Sequence, residues 1–343
     1  MEAIATVGLD LAKSVFQIHA ISITGDVVAR RALRRSNLLD FFRRIPRCLV
    51  GMEACASAHY WAREIQACGH EVKMIPPIYV KAYVKRSKTD AADAEAICEA
   101  VTRPTMRFVP IKSAEQQAAG MVLKTRELLV RQRSQTANAV RAHMMELGIA
   151  AAKGMASVEK LADTIRDPEC VVIPEKARRA LLEMVEQIGV LSTRIESLDA
   201  EIRKGVQDDE AAKRLTTIPG VGPIIAATVR AVAQDVHGFK SGRDFAAWIG
   251  LTPRAHSSGG KERLGSISKR GNAQLRTLLI VGATSIIKLG KRGLKLPDWV
   301  AGLFARKPFK VVAVALANKT ARIIWALLTK GGVYRKPTAA MAG

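Results

Sequence analysis

Acidic residues nearly vanish from the last third of this chain. Residues 211–343 hold four, Asp235, Asp244, Glu262 and Asp298, against 23 Lys and Arg. Residues 1–210 are almost balanced, with 27 acids against 31 bases, so the C-terminal part carries nearly all of the net charge of +23. Such asymmetry points to a polyanion held by that part. A ribosomal or membrane-surface role would also be basic, but neither explains the acids found upstream. Paired cysteines are missing too. Cys48, Cys55, Cys68, Cys98 and Cys170 form no Cys-x-x-Cys pair and no zinc spacing with the six histidines, which excludes a disulfide scaffold and predicts reduced, mostly buried thiols. No basic n-region follows Met1-Glu2-Ala3, so no signal peptide is expected. The most apolar late stretch, Val311 to Leu328, is broken by Asn318, Lys319 and Arg322 and is expected not to span a bilayer. A soluble protein inside the cell, with no membrane partner, is the expectation.

What is present begins with short apolar runs. Ile4–Leu9, the alternating Val15–Ile21, and Val27–Leu33 after the turn Thr24-Gly25-Asp26 read as an antiparallel meander. Ser36 opens a helix to Arg44, Leu49–Met52 is a short strand, Ser57 caps a helix to Ala67, and Glu71–Ile75 is a fifth strand closed by Pro76-Pro77. The alternation of helix and strand implies parallel pairing for the last two. Three antiparallel strands followed by β–α units is the order of a ribonuclease-H-like sheet.

Four carboxylates punctuate this region. Asp10 ends the first strand and Glu53 the fourth. Asp90 and Asp93 stand three apart after Thr89, a suitable N-cap, and so share one helical face. A carboxylate at the end of a buried strand is costly unless paired or bound to metal. Oxygen ligands suit a hard cation such as Mg²⁺, and two such ions ~4 Å apart can drive in-line phosphoryl displacement. Each acid alone reads as a cap or a surface charge; four together, at two strand ends and one helix start, read as a metal site.

A helical region follows from Ala114 to Leu147. After Pro174, the residues Met184, Ile188, Leu191, Ile195, Leu198 and Ile202 recur at heptad spacing. This seam predicts either a coiled-coil arm pairing two protomers or a helical hairpin within one chain. Leu215 to Ala226 matches a helix-hairpin-helix, in which Gly220 and Gly222 let the backbone approach a phosphate and the second helix offers its N–H groups. Trp248-Ile249-Gly250-Leu251-Thr252-Pro253 reads as packed core. A polar loop then carries Ser257-Ser258-Gly259-Gly260 among Arg254, Lys261, Arg263, Lys269 and Arg270. A Ser-Gly-Gly loop is by default a linker. Crowded by cations, it could instead offer a hydroxyl to a phosphodiester and neutralise charge developing during attack. His143, His237 and His256 have no partner at triad spacing; Trp61, Trp248, Trp299 and Trp325 sit in apolar periodic contexts and read as core.

Gly8-Leu9-Asp10, Met52-Glu53-Ala54 and Lys88-Thr89-Asp90-Ala91-Ala92-Asp93 resemble the acidic motifs of the DEDD transposases of bacterial insertion sequences. The run Ile218-Pro219-Gly220-Val221-Gly222-Pro223, then Trp248 to Pro253 and Ser257 to Lys261, resembles that family's C-terminal transposase domain. The likeness covers the chain in order. It implies an α/β + α fold: a ribonuclease-H-like, RuvC-like mixed-sheet domain (1–112), a helical coiled-coil arm (113–210), a basic, mostly helical C-terminal domain with a helix-hairpin-helix (211–335) and a disordered tail (336–343). It further implies an RNA-guided recombinase. A structured noncoding guide RNA would pair with donor and target DNA. Asp10, Glu53, Asp90 and Asp93 would bind Mg²⁺, with Mn²⁺ as a substitute. A serine would form a phosphoserine link to DNA. Ser257 and Ser258 adjoin; the Ser-Gly step of Ser258 fits the family loop best. Each complete site would combine two protomers of a dimer or tetramer in the bacterial cytoplasm, at the nucleoid. Two other functions fit parts of the sequence: a resolvase-like nuclease in which water attacks, and a non-catalytic nucleic-acid-binding protein whose acids are structural.

Overall fold

The computed structural model describes residues 3–85, 89–233, 235–256 and 263–335. The expected tail, 336–343, lies outside them. The chain divides into two compact units, Met1–Gln117 and Ala118–Gly343.

The first unit is built on a five-stranded sheet: β1 (Thr6–Asp10), β2 (Val15–Ile21), β3 (Val27–Arg34), β4 (Leu49–Glu53) and β5 (Glu71–Ile75), in spatial order β3-β2-β1-β4-β5. β1–β3 form an antiparallel meander, and β1, β4 and β5 run parallel. The expected order and pairing are observed, and the arrangement is compatible with a RuvC-like fold. Alternation divides the sheet into two faces. Val7, Leu9, Phe16, Ile18, Val50 and Met52 bury themselves in one core with Leu38 and Phe42 of α1 (Leu38–Arg44) and Trp61 and Ile65 of α2 (Ala58–Ala67). His70 fastens this core: its Nε2–H donates to the Phe42 carbonyl (2.8 Å), and its Nδ1 accepts from the Cys48 N–H (3.3 Å).

The other face receives α4 (Asp90–Val101), which follows the short helix α3 (Pro77–Val80). Two glycines decide how closely α4 can approach. Gly8 and Gly51 lie opposite each other on β1 and β4. A Cβ at Gly8 would run into the Ala94 carbonyl and lie 2.5 Å from the Cys98 nitrogen; one at Gly51 would lie 2.7 Å from the Val101 Cβ. The helix therefore rests almost directly on the strand backbones. All five cysteines are free thiols, but only Cys48 and Cys98 are buried; Cys68 and Cys170 are half-buried and Cys55 is exposed, so burial is less general than composition suggested.

The second unit is helical apart from one ribbon. α5 (Ala114–Glu146), which begins in the first unit, continues here with α6 (Met155–Arg166) and α7 (Glu175–Asp208). Ile188 of the heptad seam, with Leu181 and Val185, packs against Ala137, Val140 and Met144 of α5 and against α6. Arg126 of α5 forms an ion pair with Asp199 of α7, and Arg133 donates to Ser192 (3.2 Å). Within the chain the seam is thus used as a helical hairpin, the second of the two expected arrangements. A separate core joins α8 (Glu210–Leu215), α9 (Pro223–Val232), α10 (Gly242–Ile249), α11 (Ala273–Gly290) and α13 (Phe309–Lys330); α12 (Asp298–Phe304) packs on a smaller cluster beside them. By length and composition α11 and α13 could each cross a bilayer, so the polar interruptions in α13 weigh less than expected. Each turns one stripe to a shared core, in which Leu275, Leu279 and Ala283 of α11 meet Ala317, Ala321 and Ile324 of α13. Trp248 and Trp325 pack against it.

Gly8→Ala is expected to destabilise the protein by about 1–3 kcal/mol through overpacking against backbone. Gly51→Ala should lose less, because its closest approach, 2.7 Å to the Val101 Cβ, is longer than the approaches to backbone at Gly8. Urea unfolding of the two variants, compared with wild type, checks both the loss and the ranking.

Candidate active site

Close seating of α4 brings the acids together. Along β1 the face that holds Gly8 next presents Asp10, two residues on; along β4 the face that holds Gly51 next presents Glu53. α4 begins over the same end of the sheet. Its N-cap Thr89 accepts a hydrogen bond from the Ala92 N–H (3.2 Å), and Asp90 and Asp93 occupy the first turn, where carboxylates are favoured. The same two glycines that admit the helix therefore aim a strand carboxylate from each side toward its acidic N-terminus.

Electrostatics records the convergence. The Asp10 carboxyl is pushed up to about 6, first by burial, then by the negative charges of Asp93, Asp90 and Glu53, against a lowering contribution from the Leu11 N–H. Among the described residues, no cation joins the three carboxylates that act on this half-buried one. The donor set is that of a hard divalent cation: four carboxylates with no thiol or imidazole among them. Among the described residues, however, no group of three or more His, Cys, Asp or Glu side chains is drawn close enough to form a ligand set as placed. The acids are gathered, but not closed into a coordination sphere.

The C-terminal candidates lie on two features of the second unit. α8 and α9 flank the hairpin Ile218-Pro219-Gly220-Val221-Gly222. Gly220 does not face open space: a Cβ there would lie 2.9 Å from the Gly282 carbonyl of α11, and one at Gly282 would strike the Gly220 carbonyl. Its smallness is needed for packing on α11. Gly222, the N-cap of α9, has nothing within 4 Å of its missing Cβ and leaves the helix start open. The second feature is an antiparallel ribbon of β6 (Pro253–Ala255) and β7 (Leu264–Ile267). Ser257, Ser258 and Lys261 lie outside the described residues, between its two strands. The base of the ribbon is locked. Gly250 and Gly271 have φ of 84° and 81°, and a Cβ at either would strike the Arg270 or Trp248 carbonyl respectively. Arg276 donates to the Ile249 and Arg270 carbonyls (2.9 and 3.1 Å), and Arg254 to that of Ser268 (3.1 Å). Arg254, Arg263, Lys269 and Arg270 are all exposed around this base.

Sequence reasoning found the acids but missed Gly8 and Gly51, whose requirement shows only when α4 is in place. A glycine two residues before each strand-end acid was the available signal. It also missed Gly282, which sits inconspicuously within an apolar helix.

A locked, cation-rimmed ribbon in one unit and a carboxylate cluster at a sheet end in the other are parts suited to phosphodiester chemistry, and comparison with known proteins supplies the class. Residues 7–149 match a DEDD transposase domain, and residues 212–296 match the transposase IS116/IS110/IS902 family. A probable family 20 transposase of Pseudomonas aeruginosa is 48% identical over 97% of this chain and 99% of its own length. The transposases for insertion sequence elements IS1328 of Yersinia enterocolitica and IS1111A of Coxiella burnetii are 40% and 38% identical, each over 98% of this chain and over 100% and 92% of their own lengths. The chain belongs to the IS116/IS110/IS902 family of transposases. It is accordingly an enzyme of DNA transposition, with the divalent-metal dependence that a DEDD domain implies.

The raised Asp10 carboxyl has a direct consequence for stability. Its folded pKa of about 6 exceeds the ordinary 3.8, so between those values the native state holds more protons than the unfolded chain. Stability contributed by the protonated form is present below pH 4 and is lost as pH rises through 6. In EDTA at pH 7.5, Asp10→Asn should therefore raise stability, by about 1–2 kcal/mol once solvent screening of a half-exposed group is allowed for. Thermal unfolding should show the gain vanish at pH 4, and added Mg²⁺ should raise the melting temperature of wild type but not of the variant.

Proposed function

We propose that the protein is an RNA-guided DNA recombinase of an insertion sequence, using Asp10, Glu53, Asp90 and Asp93 with Mg²⁺ and Ser258 as nucleophile. The observation that supports the acidic site is the gathering of the four carboxylates, which raises Asp10; the serine and the guide RNA rest on the family resemblance. Isolated caps would not be so coupled. Bound Mg²⁺ would supply Lewis-acid stabilisation of the phosphate oxygens and make attack by a weak hydroxyl nucleophile feasible near neutral pH.

The chain's own residues would do the rest. The four carboxylates hold the divalent site and orient the scissile phosphate. The Ser258 Oγ forms a bond to phosphorus as the bond from phosphorus to the leaving DNA oxygen breaks. The serine proton goes to solvent or a nearby base, and the departing strand leaves as a hydroxyl. Reversal on a second DNA end restores the serine and joins the new strand, which conserves the phosphodiester without an external energy source. The locked ribbon base would present the serine, while Arg254, Lys261, Arg263, Lys269 and Arg270 would neutralise the phosphates around it. Gly222, at the open start of α9, would admit a further backbone phosphate, with Gly220 shaping that turn from its seat on α11.

Guidance by RNA fits the excess of positive charge after residue 210, which is large for a short DNA site and reasonable for a protein holding an RNA as well. The acids and the serine belong to different units, and family resemblance favours pairing the two across protomers of a dimer or tetramer. The three-part division at 112 and 210, with a helical arm as spacer, serves that arrangement; the working place would be the bacterial cytoplasm, at the nucleoid. A resolvase-like nuclease would share the acids but use water.

Denaturing gels separate these readings. Wild type incubated with donor DNA, guide RNA and Mg²⁺ should give a protein–DNA adduct that Ser258→Ala lacks, with strand exchange reduced at least about a thousandfold while RNA and DNA binding persist. Cleaved DNA with free ends and no adduct would instead establish hydrolysis. Sequencing of RNA that copurifies with the full chain should return one discrete species encoded beside its gene.

A further inference from the structure

Beside the acids, between α4 and the outer strands of the sheet, lies a cavity of about 320 Å³ lined in part by Gln17, His19, Arg30, Thr89, Ala92 and Glu95. Its position follows from register. Gln17 on β2 is paired with Asp10 on β1, and Arg30 on β3 is paired with His19 on β2. Paired residues point to the same face, so the cavity continues the face on which the carboxylates gather. Thr89 and Ala92 belong to the turn of α4 that carries Asp90 and Asp93. Its wall is therefore one residue removed from the acids on the helix and one strand removed on the sheet.

The lining is polar and built. His19 is 5% exposed and contributes its imidazole to the lining. Burial lowers its pKa from the ordinary value, with Glu95 opposing and Arg30 and Lys85 reinforcing that shift. Glu95 is held by Lys85 (2.6 Å) and faces Arg30 at 3.9 Å. The cavity thus offers an imidazole, an amide, a carboxylate and a planar guanidinium. A bare phosphate would fill only a fraction of the volume and would meet Glu95 unfavourably. A nucleobase needs just such a mixture: donors and acceptors for its edge, and a flat cation or imidazole for its face.

We infer that this cavity receives an unpaired nucleotide of the DNA strand adjoining the scissile phosphate, with His19, Gln17 and Glu95 hydrogen-bonding the base edge and Arg30 covering its face. The inference rests on the reading of the neighbouring acids as the phosphodiester site. It gives the protein a way of holding and discriminating one base beside the cut, independently of any pairing by a guide.

The test uses the full-length protein in EDTA with short single-stranded DNA oligonucleotides carrying 5-iododeoxyuridine, and RNA oligonucleotides carrying 5-iodouridine. After irradiation, crosslinked peptides are mapped by mass spectrometry. DNA should crosslink to peptides containing Gln17–His19 and Ala91–Glu95. The yield there should fall about tenfold in Ala92→Leu, which fills the cavity, while crosslinks to the basic C-terminal unit stay unchanged. His19→Asn provides a second variant should Ala92→Leu unfold, and melting temperatures report folding of each. Crosslinks confined to other peptides, yields undiminished in both folded variants, or preferential crosslinking of RNA at these peptides would each overturn the inference. Chemistry is stopped in EDTA, so this outcome is separate from whether the acids cut DNA. Strand exchange by Asp10→Asn in Mg²⁺ reports on that alone: a variant that crosslinks normally but exchanges no strands upholds both readings.

Discussion

The direct seating of α4 on the strand backbones at Gly8 and Gly51 is the contact on which the first unit depends. Helices normally stand off a sheet by the depth of two layers of side chains. Removing one layer at two paired positions lets the helix sink toward the sheet. That approach places a helix start, with its two acids and its favourable dipole end, over the strand ends that carry Asp10 and Glu53. Four negative groups then share one region, and the half-buried Asp10 bears the mark of it. Stability is sacrificed locally at neutral pH, a common signature of a place that expects a cation.

Backbone-to-backbone contact through glycine recurs in the second unit. Gly220 meets Gly282 where the hairpin rests on α11, and Gly250 and Gly271 bring the end of α10 against the base of the β6–β7 ribbon. In each case a loop is fixed at its root by helix packing, so the loop needs no hydrophobic content of its own. The residues beyond the root are then free to be polar and cationic, as Arg254, Arg263, Lys269 and Arg270 are. A rigid root with a charged rim suits a surface that must grip a polyanion without burying itself.

The helical hairpin of α5 and α7 shows how one pattern can serve two ends. Heptad spacing specifies a stripe to be covered, and α5 and α6 cover part of it within the chain. The Arg126–Asp199 pair adds direction to that contact. Likewise, α13 carries enough apolar length for a bilayer, yet its stripe of Ala317, Ala321 and Ile324 is spent on α11 and its neighbours.

Local rules were enough for much of this protein. Short apolar runs, one of them alternating, placed the five strands, the Thr89 cap placed α4, and strand-end carboxylates marked a candidate site, because strand period, helix capping and the aversion of charge to burial act within a few residues. The basic C-terminal third was likewise plain in the sequence. Tertiary structure alone decided that Gly8 and Gly51 are spacers rather than flexible points, that Gly220 packs on α11, and that His19, Arg30 and Glu95 line a cavity next to Asp10. Those outcomes depend on which surfaces meet across distant parts of the chain. A glycine's missing Cβ, or a histidine's place in a cavity wall, acquires meaning only from the atoms brought against it by folding.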